Sequence, residues 1–124
     1  MAVEQPDLEF TLEAAGDLST HQYKAVVINS AGRAALPSAS GVVPAGILQN
    51  KPSALGHAAA IRRGGISKAV AGGTFDAGTL LMAATTTGKL ITATAELHAC
   101  AQAMEAGADN RIISVLQLDT RIPA

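Results

Sequence analysis

The stretch Arg62–Leu90, RRGGISKAVAGGTFDAGTLLMAATTTGKL, decides the fold class. Its apolar residues come in short aliphatic groups, Ile66, Ala69-Val70 and Leu80-Leu81-Met82, separated by the pairs Gly64-Gly65 and Gly72-Gly73 and by the turn Thr85-Thr86-Thr87. No long 3.6-residue period runs through it, and its Gly-rich parts have little helix propensity, so short strands joined by tight turns are the reading. No catalytic constellation lies inside it. The question of function therefore moves from chemistry towards surface, shape and assembly.

Upstream, residues Met1 to Gln5 carry no periodicity and read as a loose arm. In Asp7 to Glu13 the residues Leu8, Phe10 and Leu12 alternate with polar ones, the pattern of a half-buried strand with an acidic and an apolar face. Tyr23 to Ile28 is a β-rich run, Asn29 to Arg33 a turn leading into Ala34-Ala35-Leu36, and Pro37 to Pro44 a connection punctuated by Ser, Pro and Gly. Gly46 to Gln49 reads as a short strand stopped at Asn50-Lys51-Pro52, since Pro cannot donate to a central ladder. His57 to Arg62 is a strand of small residues that ends at a Gly64-Gly65 break, before Ile66 to Val70. After the Asp76-Ala77-Gly78 turn comes a further strand, Thr79 to Ala83.

Downstream, TAELHACAQAME at Thr94 to Glu105 poses a conflict. Its propensity is helical, with Leu97, Cys100, Ala101 and Met104 at helical spacing, but its second half lies in register with the strand at Gly46 to Gln49. The reading is a short helical turn at Thr94 to His98 and a strand from about Ala99 to Glu105. Ala106 to Asn110 is a turn, and Arg111 to Leu118 is the clearest strand of all.

That register is an offset of 56 residues, which takes Val26 to Met82, Gly32 to Gly88, Arg33 to Lys89 and Ile47-Leu48-Gln49 to Ala103-Met104-Glu105. Few of the pairs are identical, and similarity among short apolar strands is the competing explanation. The expected organisation is an N-terminal arm and first strand over residues 1–17, then one compact β domain over 18–124. Within that domain the offset suggests two related halves at about 24–62 and 80–118. The fold class is mainly β: a compact single-domain, β-sandwich or barrel-like fold of short strands, with little helix and an extended N-terminal arm.

Composition narrows the function classes. The chain has 124 residues, 48% of them hydrophobic, but these are largely Ala and small aliphatics; the only aromatic residues are Phe10, Phe75 and Tyr23. Charged residues make up 15%, against about 25% in typical soluble domains, with a formal net charge of −1. So weakly charged a surface suits burial against partners. It does not suit nucleic acid, because phosphate binding needs clustered cations and no run exceeds Arg62-Arg63. The single Cys100 cannot form an intrachain disulfide, the N-terminus lacks the pattern of a signal peptide, and no apolar run approaches the roughly 18 residues of a membrane span. A soluble protein made in a cytosol, with no membrane partner, is expected.

No catalytic, cofactor-binding or metal-binding residue stands out, and the chain is not expected to be an enzyme. His21, His57 and His98 lie 36 and 41 residues apart without local zinc spacing. Cys100 would act as a nucleophile only with His98 as its base, and a buried apolar cysteine explains it more simply. The Gly72-to-Gly78 segment lacks the Gly-Lys-Ser/Thr of a phosphate loop, since Gly88-Lys89 is followed by Leu90. No Gly-x-Ser-x-Gly elbow and no close carboxylate pair occurs.

The order of the segments carries a family resemblance. Gly16-Asp17-Leu18 with Tyr23 to Val27, then Gly46 to Pro52, then Gly65 to Gly73, then Ala77-Gly78 and Gly88-Lys89 resembles the capsid decoration, or cement, proteins of tailed bacteriophages, over roughly Ala15 to Leu118. The resemblance implies a β domain that sits as homotrimers on the outer capsid surface of the virion, with the major capsid protein as partner, and stabilises contacts between capsomers. It implies no small-molecule substrate, and an N-terminal arm that reaches the shell. On that reading Leu8, Phe10 and Leu12 are candidates for docking, or else fill the protein's own core, and Tyr23, Arg62 and Arg63 are candidates for subunit or capsid contact. The helix-prone Thr94 to Glu105 departs from the family pattern. A small-molecule or glycan-binding β-barrel module, short here of aromatic walls, and a phage tail or head-fibre subunit are the alternatives.

Overall fold

A computed structural model describes residues 5–94 and 97–121, and every regular element in it is a strand. In chain order these are β1 (Gln5–Glu13), β2 (Ala25–Ile28), β3 (Ala34–Ala35), β4 (Gly46–Leu48), β5 (Ala58–Val70), β6 (Leu80–Ala83), β7 (Leu90–Thr92), β8 (His98–Ala103) and β9 (Ile112–Arg121). All named pairings are antiparallel. The fold is thus mainly β, built of short strands, as the alternation and turn signals predict.

The spine is β5. The sequence predicts two strands separated by a break at Gly64-Gly65, but the ladder runs through both glycines as one strand of 13 residues. Their φ angles of +80° and +71° lie in the left-handed region that costs Gly little, so the strand changes direction there without ending. The two partners of one strand residue lie on its opposite edges. Arg62 pairs with Glu9 on one side and Ile47 on the other, and Ile66 pairs with Gln5 and Leu116. Thus β1 lines one edge of β5 from Ala58 to Ile66, while β4 and β9 share the other edge and part from each other at residues 63–65.

The strand order is β3-β2-β4-β5-β9-β8-β6-β7, with β1 added beside β5. On each side of β5 a hairpin is followed by a strand that returns next to its first member. The hairpin β2–β3 closes with Gly32 at φ +76°, and β6–β7 closes with Gly88 at φ +70°. Parallel bridges Ala14–Ala34 and Ala71–Leu90 curl each side of the sheet towards closure.

Two apolar clusters fill the curled sides. One holds Leu18, Val26, Leu48, Ala59 and Ile61, with Phe10, Leu12 and Leu36 packed on it. The other holds Ile47, Phe75, Leu81, Leu90, Cys100, Ile113 and Val115, with Tyr23 packed on it. Alanines occupy many of the remaining core positions, so the interior is thin and backbones approach closely, as a chain poor in large side chains requires.

At Thr94 to Glu105 the strand reading holds in its second part, with β8 spanning His98–Ala103. The helical turn assigned to Thr94 to His98 includes Ala95 and Glu96, outside the described residues; His98 itself is already in the strand. Pairing with β6 and β9 outweighs the helix propensity of these alanines, because the alternate residues Ala99, Ala101 and Ala103 become core.

Candidate interaction surfaces

The first strand is part of this chain's own sheet. Phe10 and Leu12 are half-buried against the first cluster, whereas Leu8 on the same face is 54% exposed. Glu9, Thr11 and Glu13 alternate with them and face solvent. Beyond its eight register pairs with β5, no described strand pairs with the other edge of β1 before the bridge at Ala14. Met1 to Glu4, the start of the expected arm, lie outside the described residues.

Arg62 and Arg63 are adjacent in sequence and diverge in space. Arg62 Nε donates to Glu9 Oε1 at 2.7 Å and its Nη2 reaches the same oxygen, tying β5 to β1. The Arg62 side chain is only 11% exposed, against 48% for Glu9. Arg63 Nη1 instead donates to the Pro44 carbonyl at 2.6 Å, fastening the 37–44 connection. The alternation of a strand sends neighbours to opposite faces, which is why a basic pair in sequence makes no basic patch.

Where β9 parts from β5 the sheet forks, and a pocket of about 270 Å³ opens there, with Leu8, Ile47, Arg63, Cys100, Gln117 and Leu118 among its walls. Gln117 Nε2 donates to the Arg62 carbonyl at 3.0 Å across the fork. The volume is below the roughly 300–1,000 Å³ usual for small-molecule sites, and no aromatic ring lines it. Sequence reasoning missed this pocket because it arises from strands far apart in the chain; its one local signal was the Gly64-Gly65 pair.

Tyr23 joins the two sides of the molecule. Its backbone has φ +66°, its N–H donates to the Leu48 carbonyl at 2.7 Å, and its carbonyl accepts from Val70 N–H at 2.9 Å. Lys68 Nζ stands 5.7 Å from its ring centroid, within cation–π range. Beside it, Lys24 Nζ lies 3.2 Å from His21 Nδ1. The ammonium can only donate, so this contact places the imidazole proton on Nε2. Burial, then the Lys24 charge, push the His21 pKa below its ordinary value, with Asp17 opposing. Burial, then Lys89, lower that of Lys24.

The remaining titratable residues do not assemble. Among the described residues no group of three or more His, Cys, Asp or Glu side chains could hold a metal ion. His57 is exposed in a turn, with Ser53 Oγ 3.4 Å from its Nδ1. Cys100 is buried in the second cluster, and the register shift between Ala99 and Ala101 interrupts the alternation between His98 and Cys100. No described helix is long and apolar enough to cross a membrane.

No family model and no curated sequence matches the chain. Among solved structures it is similar to the crystal structure of the head fibre gp8.5 N base in bacteriophage phi29, with a TM-score of 0.69 and 12% sequence identity, over 94% of this chain and 98% of that one. At that identity the similarity establishes a shared fold, over almost the full length of both chains.

Proposed function

We propose that this chain is a structural protein of a phage head, attached to the outer capsid surface by contacts with the major capsid protein and acting as a decoration or cement subunit. The observation that carries the reading is the fold shared over 94% of the chain with the base of a phage head fibre. The ordered resemblance of its turn glycines and apolar triplets to cement proteins supports the same role. A weakly charged chain with a strand edge that no described strand pairs and an exposed Leu8 suits packing against a lattice.

The mechanism is thermodynamic. A protein that binds only the mature lattice stabilises it by mass action, and a homotrimer touching several capsomers at once gains from multivalency even when each contact is weak. No side chain of this chain performs a reaction in that account. A second reading, the base of a head fibre, draws on the name of the structural neighbour. Adding purified protein to heads of its source from which it has been stripped tests attachment. Co-sedimentation with the heads and a raised temperature of head disruption support the role, and protein left wholly in the supernatant refutes it.

A further inference from the structure

Lys24 stands in surroundings unlike those of an ordinary surface lysine. Among the described residues no carboxylate pairs with its Nζ, which donates instead to His21 Nδ1 at 3.2 Å. The backbone fixes this neighbourhood. Ala25 N–H donates to the Gly88 carbonyl at 2.7 Å, and a Cβ on Gly88 would stand 3.2 Å from Lys24 Cβ, so the turn that carries Lys89 packs directly on the chain at Lys24. Lys24, Lys89 and His21 are all half-buried. The acidic groups around them are engaged elsewhere: Asp109 faces Lys89 Nζ at 3.5 Å, and Asp17 accepts from Ser19 N–H at 2.9 Å while its charge acts on His21. On the β5 side, Lys68 lies over the Tyr23 ring.

We propose that Lys24 is a covalent modification site, the amine of this chain that activated acyl groups such as thioesters and acyl phosphates modify first. A half-buried ammonium without a carboxylate partner, set beside a second ammonium, gives up its proton more readily, and the neutral amine is the nucleophile. Burial, then the Lys89 charge, act on Lys24 in that direction. In the step itself the Nζ lone pair forms a C–N bond to the acyl carbon, and the bond from that carbon to the leaving group breaks with its electron pair. The proton released by nitrogen passes to solvent by way of His21 Nδ1, the base facing it. The amide product carries no charge, which relieves the repulsion with Lys89. None of this depends on the head assignment.

The test is competitive acetylation of the folded full chain by a trace of acetic anhydride at pH 7, with each lysine read by peptide mass spectrometry. Lys24 is expected to lead Lys51, exposed in the turn before Pro52, by about threefold or more. Burial alone would make it lag. The lead should vanish in denaturant and shrink towards pH 11, where ordinary lysine amines are also neutral. Lys89→Gln should cut the lead, although a shorter side chain there widens access to Lys24. Labelling of Lys24 no faster than Lys51 at pH 7, or a lead that persists in denaturant, at pH 11 or in folded Lys89→Gln, would overturn the proposal.

Discussion

Arg62 on β5 donates through Nε to Glu9 Oε1 on β1 at 2.7 Å, so a residue 53 positions away clamps the first strand from outside the apolar core. Glu9→Gln removes the charge and keeps the shape. Because the carboxylate is half exposed, the expected loss is about 1 kcal/mol or less, read as a lowered denaturant midpoint with an unchanged slope. An unchanged midpoint would mean that the pair contributes nothing to holding β1.

Deleting residues 1–13 and replacing Leu8 should give different phenotypes. The deletion removes Phe10 and Leu12 from the first cluster and strips one edge of β5, so loss of the cooperative thermal transition is expected. Leu8→Ser touches a side chain 54% exposed and should change stability by roughly 0.5 kcal/mol or less while weakening attachment to heads. Unfolding by Leu8→Ser alone would place that side chain in the core.

These two variants also mark what was legible in the sequence. The alternation of Leu8, Phe10 and Leu12 predicts a half-buried strand, and Arg111 to Leu118 predicts β9, because period-two patterns survive whatever partner the strand finds. Gly64-Gly65 misled in one respect, since glycines with positive φ kink a long strand as readily as they end one. The fork pocket and the Arg62–Glu9 clamp were illegible, for both depend on which distant strands flank β5. The helix propensity of Ala99 to Ala103 was overridden by packing that no local window contains.

Phe75 and Gly107 meet at an antiparallel bridge, where Gly107 N–H donates to the Phe75 carbonyl at 2.9 Å and the ring lies against the missing side chain. A methyl group at Gly107 would overlap the ring of a residue that is 7% exposed. Gly107→Ala should destabilise by about 1–3 kcal/mol as Phe75 is forced from its place, measured by chemical denaturation. A neutral result would show that the 104–110 turn yields at no cost.

His21 gives stability a pH dependence of definite sign. Its folded pKa is pushed below the ordinary 6.5, so the unfolded chain binds more protons between the two values. The contribution is complete above about 6.5 and is lost as pH falls through the lowered folded value, when a second positive charge arises 3.2 Å from Lys24 Nζ. The difference in midpoint between the native chain and His21→Gln should therefore shrink as pH falls from 7.5 towards 5. A difference that widens on acidification would contradict this, since it would require the imidazolium to be the favoured form.

The outer-surface assignment is tested most directly by counting copies of the chain in purified particles from its source, by quantitative mass spectrometry against the most abundant shell protein. The account predicts a ratio near one to one, as for a subunit at every lattice position. A few dozen copies per particle would favour a fibre base or vertex component over a lattice-wide cement, and absence from the particles would contradict the assignment altogether.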